Sequence, residues 1–464
     1  MQNPNISTLS SMRGAVAAGN RHTAEAGAWA LAEGGNAVDA VVAAALAAFV
    51  AEGPLTGPAG GGFIILRNPG GEPTLLDCFF AVPSRPRGPM DEVVIDFGDA
   101  STQIFHVGPS SVAVPGLVAG LAEAHERHGR LPWAALCAPA LELARKGVES
   151  TDAQRFLLEI LVPILERTPE GHRIYGAHAR VETAGMVPGL ERLRDVGAEA
   201  VPELLPELAG DIAAYDVVER TPLEASFAGT RVVTCPPPSR GGRIVADGLA
   251  AIEELERRPG PDMPLPVLLV AGLLAGYGGP TRHTALTGTT HVSVIDGDGA
   301  AAALSSTLGS GSGVFAGGFQ LNNMLGELDV IGTDERAAGE RLPSMMAPTL
   351  VLDGDGPRLV VGSAGSVRLS GAILQTIYHV VAGGLPVPEA IDHPRLHDED
   401  GIVQVEGGWP DETAQQLSEA RHAVNPWAGR NLYFGGVSAV ERRADGTLLA
   451  AGDPRRGGHG VVVP

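Results

Sequence analysis

The hydrophobic pattern of this chain changes period at Gly288, and that change limits the folds open to it. Before Gly288, apolar residues recur every three to four positions over 23–33, 37–49, 116–128, 133–146, 153–166 and 244–256, which predicts helices. Gly34-Gly35 stops the first helix and Asn36-Ala37 opens the second. After Gly288, the stretches 290–295, 300–306, 349–352 and 359–362 alternate or run apolar, rich in β-branched residues and separated by Asp-Gly and Gly-Ser turns. Two hairpins are expected: 63–67 with 74–77 across the 68–73 turn, and 435–442 with 447–452 around Ala444-Asp445-Gly446. A further helix is expected over 369–382. Helices flanking two sets of antiparallel strands predict an α+β sandwich, with no internal repeat and no long linker.

Composition narrows the chemistry. A chain of 464 residues, 44% hydrophobic and 19% charged, can bury a substantial core in one large domain or two ordinary ones. The net charge of −21 argues against nucleic acid or an anionic membrane as partner, because phosphate binding needs a basic face. Lys146 is the only lysine, so P-loop, Schiff-base and Ser-Lys mechanisms would all have to use that one residue in a helical run. Cys78, Cys137 and Cys235 form no CxxC and suggest neither a disulfide framework nor a zinc ribbon. Residues 1–13 show no basic segment followed by an apolar one, so a cytoplasmic protein is expected. The Ala-rich run 37–50 is too short to span a bilayer and is expected as a buried core helix.

With the lysine mechanisms set aside, Gly288-Thr289-Thr290-His291 draws notice. A hydroxyl residue preceded by glycine at a strand start can attack the preceding carbonyl, and a residue without Cβ tolerates the strained backbone this needs. An N-to-O shift and ester hydrolysis would free the α-amine of Thr289. With an ordinary pKa of about 7.7–8.0, that amine can serve as base for its own hydroxyl. On spacing alone, Gly-Thr-Thr is weak evidence, since most such tripeptides are plain strand starts.

The surroundings strengthen it. Thr289–Asp296 with Asp298-Gly299, Ser306-Thr307-Leu308, Gly311-Ser312-Gly313 and Leu321-Asn322-Asn323 resembles the small-subunit start of the gamma-glutamyltranspeptidase family. In collinear order, Arg13-Gly14, Glu33-Gly34-Gly35-Asn36-Ala37, Gly60-Gly61-Gly62-Phe63, the segment 111–116, Pro236-Pro237-Pro238-Ser239, Met346-Ala347-Pro348-Thr349, Gly362-Ser363-Ala364-Gly365, Asp392-His393-Pro394-Arg395 and Gly452-Asp453-Pro454-Arg455 extend the resemblance over nearly the whole chain. It implies a four-layer αββα sandwich of the N-terminal nucleophile hydrolase type. One precursor would be cut into a large subunit, 1–288, and a small subunit, 289–464, which stay together as one combined domain. A dimer of this two-subunit unit is left open. No cofactor or metal is implied, and the partner is a small-molecule substrate.

By the same resemblance, Thr289 is the nucleophile and Thr307 the second threonine that activates it. Gly365 and Ser366 stand where a Gly-Gly pair supplies oxyanion N–H groups; a preorganised donor of this kind contributes about 2.7–4 kcal/mol. The substrate-binding positions depart from the family. Asp77-Cys78-Phe79-Phe80-Ala81-Val82-Pro83 puts Phe79 where an arginine clamps the glutamyl α-carboxylate. Gly309 replaces an asparagine, Glu327 stands for a shorter acid, and Met345 replaces the second of two serines while Ser344 remains. Asn323 is kept as a substrate-side residue. Phe cannot imitate a bidentate Arg–carboxylate contact, though Arg85 or Arg368 was open as a substitute.

The expectation is therefore an acyl-enzyme former, hydrolase or transferase. Its default donor is a γ-glutamyl amide such as glutathione, and the rebuilt pocket favours a non-glutamyl amide or C–C acyl substrate of small-molecule or natural-product metabolism. Rival readings are a catalytically silent binding homologue and a convergent metallo- or serine hydrolase. His393 and His397 are four apart, but Pro394 lies between them and argues against a metal pair. Gly60–Gly62 lacks a GxGxxG or Walker lysine and reads as a tight turn, and the Trp and Met residues read as core.

Overall fold

The computed structural model describes residues 12–85, 88–96, 102–260, 262–281, 288–354 and 356–464. Seven strands form one sheet in the spatial order His459–Val463, Gly14–Ala18, Gly288–Asp296, Ala301–Gly309, Gly61–Arg67, Thr74–Cys78 and Val218–Arg220. Six form the other: Leu448–Gly452, Gly436–Arg442, Gly356–Ala364, Thr349–Asp353, Thr230–Thr234 and Leu223–Phe227. Every neighbouring pair in both sheets is antiparallel.

Period-two alternation sorts the side chains into two cores. Val16, Ala18, Val292 and Val294 face helices Arg21–Ala32 and Ala37–Ala51, whereas Ala15, Ala17, Ile295 and Ala303 face the second sheet. Helices Gly241–Glu256, Leu265–Tyr277 and Arg368–Val381 cover the far side of that sheet. The layers thus run helix, sheet, sheet, helix, the expected αββα sandwich. Strands from before and after Gly288 interleave within the seven-stranded sheet, so backbone pairing alone ties the two parts together.

The 37–50 run is the core helix expected: Ala37–Ala51 is buried at every position and opened by an Asn36/Asp39 capping box. Among the described residues, no helix is long and apolar enough to cross a membrane. The Ala-rich elements allow close layers; a Cβ on Gly27 would lie 3.0 Å from the Ala40 carbonyl.

Some elements differ from the expectation. The single helix expected over 133–146 is two, Trp133–Leu136 and Ala138–Lys146, because Pro139 has no N–H to continue the ladder. Strand Gly14–Ala18 has only one β-branched residue and is a strand because it lies between two others. Helix Leu265–Tyr277 is apolar on all sides and so carries no amphipathic period. The stretch 277–287, read as flexible, begins within that helix, and 282–287 lie outside the described residues, as do 1–11 of the N-terminal segment. The Trp and Met reading holds in part: Met186, Met324, Met345 and Met346 are buried in the cores, the last three also lining a cavity, whereas all four tryptophans are only partly buried and Met263 is 41% exposed.

Candidate active site

Thr289 enters the centre of the seven-stranded sheet at an irregularity. Gly288 pairs with Gly309 and Thr290 with Ser306, so two residues, Thr307 and Leu308, stand opposite Thr289 alone. A bulge of this kind re-aims side chains. Here it brings the Thr307 hydroxyl to the Gly288 carbonyl oxygen, to which it donates, while the Gly309 N–H donates to Thr307 Oγ1 at 2.8 Å. The hydroxyl's acceptor side is thereby occupied and its proton directed at the carbonyl preceding Thr289.

Gly288 is required for a different reason from the one expected. Its φ lies outside the left-handed region, but a Cβ there would meet the Gly309 carbonyl at 2.6 Å. Close approach, rather than strain, excludes a side chain.

The next residues anchor this strand to both neighbouring layers. The Thr290 hydroxyl points to the helix side and donates to Glu52 at 2.6 Å, and Thr23 donates to the other oxygen at 2.6 Å. Burial pushes the Glu52 carboxyl up, against the two hydroxyls that lower it. On the opposite face His291 hydrogen-bonds Ser305 and Ser293 at 2.8 and 2.9 Å, and Ser293 donates to the Ser438 carbonyl of the second sheet. Burial alone lowers His291 to about 3, so it is a neutral strut.

A small cavity opens on Thr289. It gathers eight of the residues expected from the sequence: Thr289, Thr307, Gly309, Glu327, Ser344, Met345, Phe79 and Ser366. Met324, Val330, Met346 and Leu369 complete an apolar wall that sequence reasoning missed. Asn323 stands behind the wall and accepts from the Ser310 and Gly311 N–H groups at 2.8 and 3.1 Å, so it shapes the loop rather than facing the cavity.

Phe79 occupies the arginine position as a packed ring, stacked on Phe63 at 5.3 Å and edge-on to Phe80 at 4.9 Å. Asp77 of the same stretch is fully buried and paired with Arg220 at 2.7 Å. Among the described residues, no arginine lines this cavity. Arg85 is exposed, and Arg368 is buried outside the cavity, 3.7 Å from Glu399 and over the Tyr433 ring.

Gly309 and Glu327 are coupled. Gly309 has φ +68°, and a Cβ there would lie 2.3 Å from Asn323 Oδ1 and 3.0 Å from Glu327 Oε1. The longer acid therefore fills the volume a side chain at 309 would take. Its Oε1 accepts from both the N–H and the hydroxyl of Ser310, each at 2.7 Å, and burial raises its pKa.

Gly365 and Ser366 have φ of +130° and +54°, a turn that precedes helix Arg368–Val381. A non-glycine residue there stores roughly 1–3 kcal/mol of strain, the kind kept where a backbone N–H must be aimed. The helix N-terminus adds a positive dipole end. The 235–242 loop buttresses the wall from below: Ser239 donates to the Met346 carbonyl at 2.6 Å, and a Cβ on Gly241 would lie 1.8 Å from the Met345 carbonyl. Gly60 makes the expected turn, while Gly61-Gly62 open the strand paired with Ser306-Thr307, where Gly62 passes close under the Ser305 carbonyl.

The rejected metal pair stays apart. His393 packs against His379 and Trp409, and His397 bonds Thr281 at 3.0 Å. Among the described residues, no group of three His, Cys, Asp or Glu side chains is arranged to hold a metal.

Comparison with known proteins agrees with this geometry. The glutathione hydrolase proenzyme of Pseudomonas aeruginosa is 29% identical over 540 aligned positions, covering 97% of this chain and 94% of the relative. The acylase ACY 1 proenzyme of a Pseudomonas species is 26% identical, covering 98% and 94%. The crystal structure of cephalosporin acylase from Bacillus halodurans superposes with a TM-score of 0.82 at 21% identity, over 99% of this chain and 98% of that one, which shows the fold. The Gamma-glutamyltranspeptidase family profile matches residues 23–193 and 273–463, across both sheets and the Thr289 bulge. The chain belongs to the gamma-glutamyltranspeptidase family and is an enzyme of its N-terminal nucleophile hydrolase/acyltransferase type.

Proposed function

We propose that the protein is made as one chain, cuts itself between Gly288 and Thr289, and then hydrolyses amides of small apolar, non-glutamyl acyl groups. The observation that carries the substrate reading is the cavity beside Thr289: its wall is Phe79, Met324, Val330, Met345, Met346 and Leu369, with no arginine among the described residues that line it.

In the cutting step the Thr289 hydroxyl attacks the Gly288 carbonyl carbon, and Thr307 stabilises the oxygen as charge develops on it. The C–N bond breaks, an ester forms, and water hydrolyses it to a Gly288 carboxylate and a free Thr289 amine. Thr307 is then released to hydrogen-bond the Thr289 hydroxyl. In turnover the new α-amine takes the hydroxyl proton as the oxygen attacks a bound amide, and returns it to the departing amine. The Gly365 and Ser366 N–H groups face the oxyanion, and water resolves the acyl-enzyme.

A γ-glutamyl donor would bring an α-carboxylate against Phe79 and an α-ammonium toward a Glu327 oxygen already bonded to Ser310. An uncompensated buried charge is costly, which disfavours that donor. The acylase relative supports removal of other acyl groups by this scaffold. Action inside the cytoplasm remains part of this proposal.

The test is a panel of anilides of straight-chain acids beside γ-glutamyl anilide. At least one apolar acyl anilide should exceed the γ-glutamyl compound in kcat/KM by roughly tenfold or more, the effect of about 1.4 kcal/mol. Preference for γ-glutamyl anilide would overturn the substrate reading.

A further inference from the structure

Two adjacent arginines differ sharply in how their guanidinium groups are satisfied. Arg455 is enclosed by Glu406, at 2.7 and 2.6 Å, by Asp453 at 3.2 Å, and by the Ile391 and His393 carbonyls. Arg456 has no carboxylate within ion-pair distance among the described residues. Its Nε is buried without a hydrogen-bond partner, and Nη2 reaches only the Leu432 carbonyl, at 3.5 Å. Asp453 cannot serve it, being occupied by Arg395 at 2.6 Å, by Arg455 and by the Val437 N–H. Burial first, and then the charge of Arg368, lower Arg456 to about 10. It still carries its charge at neutral pH, and buried donors without partners are rare enough to ask what they bind.

Arg456 stands where two cavities meet. One reaches Thr289 and is lined also by Glu52, His291 and Ser438. The other runs outward between Leu157, Leu158, Val181 and Leu432. Both are lined by Gly19, Glu52, Leu55 and Arg456, so they adjoin at these residues and are taken together as one chamber. Among the described residues, this chamber and the acyl cavity have Thr289 alone as a common lining residue. An amide carbonyl held at Thr289 has two substituents, and the protein offers a separate space for each. Glu52 at the junction is held by Thr23 and Thr290 and makes no ion pair with Arg456.

We infer that this second chamber receives the leaving group, an amine whose apolar body carries a carboxylate, and that Arg456 binds that carboxylate. The inference rests on the amide-hydrolase reading and adds the other half of the substrate. Acylation breaks the C–N bond and forms the Thr289 ester. The amine leaves with the proton that began on the Thr289 hydroxyl, and the carboxylate is unchanged throughout.

The test uses N-acyl 4-aminobenzoates beside the matching N-acyl 4-aminobenzamides, with wild type, Arg456→Met and Arg456→Lys. Cleavage of each variant into two subunits checks folding. Arg456→Met should raise KM for the benzoate roughly 30-fold or more, as expected for losing one partner of a buried charge pair, and change the benzamide less than about threefold. Arg456→Lys should recover part of the loss. Equal effects on both substrates, or none, would overturn the inference. If wild type is cleaved yet turns over neither series, calorimetry of 4-aminobenzoate against 4-aminobenzamide decides. Tighter benzoate binding that disappears in Arg456→Met supports the inference, and no difference overturns it. A wild-type chain that stays uncut contradicts the amide-hydrolase reading instead, and the same calorimetry still reports on Arg456.

Discussion

The two sides of the cavity beside Thr289 differ in how they are built. On the Thr289 side, a sheet register, a bulge and two hydroxyls hold one arrangement: Thr307 to the Gly288 carbonyl, Gly309 N–H to Thr307. On the facing wall, the polar groups the resemblance calls for are replaced by Phe79, Gly309 and Met345, and Glu327 is turned toward Ser310. The difference shows what each side can tolerate. A hydroxyl aimed by backbone pairing has no substitute in reach, whereas a specificity wall can be rebuilt if its volumes still match. The Gly309–Glu327 pair shows this: one side chain shrinks and its neighbour grows into the space.

This contrast can be broken in order of expected effect. Thr307→Ala should slow cutting and lower kcat roughly 10²- to 10³-fold, the range for losing one preorganised donor, with little change in KM; steady-state kinetics on processed protein measures it. A loss confined to KM would move Thr307 from the chemistry to binding. Gly309→Ala should destabilise by about 1–3 kcal/mol, from a left-handed backbone and a Cβ 2.3 Å from Asn323 Oδ1. Gly309→Asn with Glu327→Asp should be less destabilised than the two singles summed, a coupling of about 0.5–3 kcal/mol that denaturant titration reads. Additive singles would mean the two sites are independent. Met345→Ser should lower kcat/KM on apolar acyl amides about 3- to 10-fold, the scale of losing a small buried apolar contact.

A further prediction, outside that order, concerns pH. His291 is held neutral by burial, with its pKa near 3 instead of 6.5, so the unfolded chain binds the proton that the folded one refuses. Its stabilising contribution is therefore complete above about pH 6.5 and lost as pH falls toward 3, at about 1.4 kcal/mol per unit. Tm should drop between pH 7 and 5, and His291→Gln should show a shallower drop. An unchanged slope would mean that other groups, such as buried His379 and His397, dominate.

Much of this was legible in the sequence because it depends on local pattern. Helix 37–50, the 63–77 hairpin and the change of period at Gly288 follow from spacing and turn residues, and the collinear motifs carried the family and Thr289. Strand Gly14–Ala18 was not legible, because its conformation comes from its two neighbours. Met324, Val330 and Leu369 looked like ordinary core residues, since nothing local separates a cavity wall from a core. Glu52 had a signal that was overlooked, an acid directly after the apolar buried run 40–51. Arg456 had none, because its meaning lies in the partners that Arg455 has and it lacks.

The central claim is that Thr289 both cuts the chain and carries the acyl group. Denaturing electrophoresis, intact mass and N-terminal sequencing of purified wild type beside Thr289→Ala test it directly. The account predicts two fragments from wild type, the smaller beginning at Thr289, and one inactive, uncut chain from the variant. A wild-type chain that stays whole and yet hydrolyses amides, or a Thr289→Ala chain that is still cut at the same bond, would contradict it.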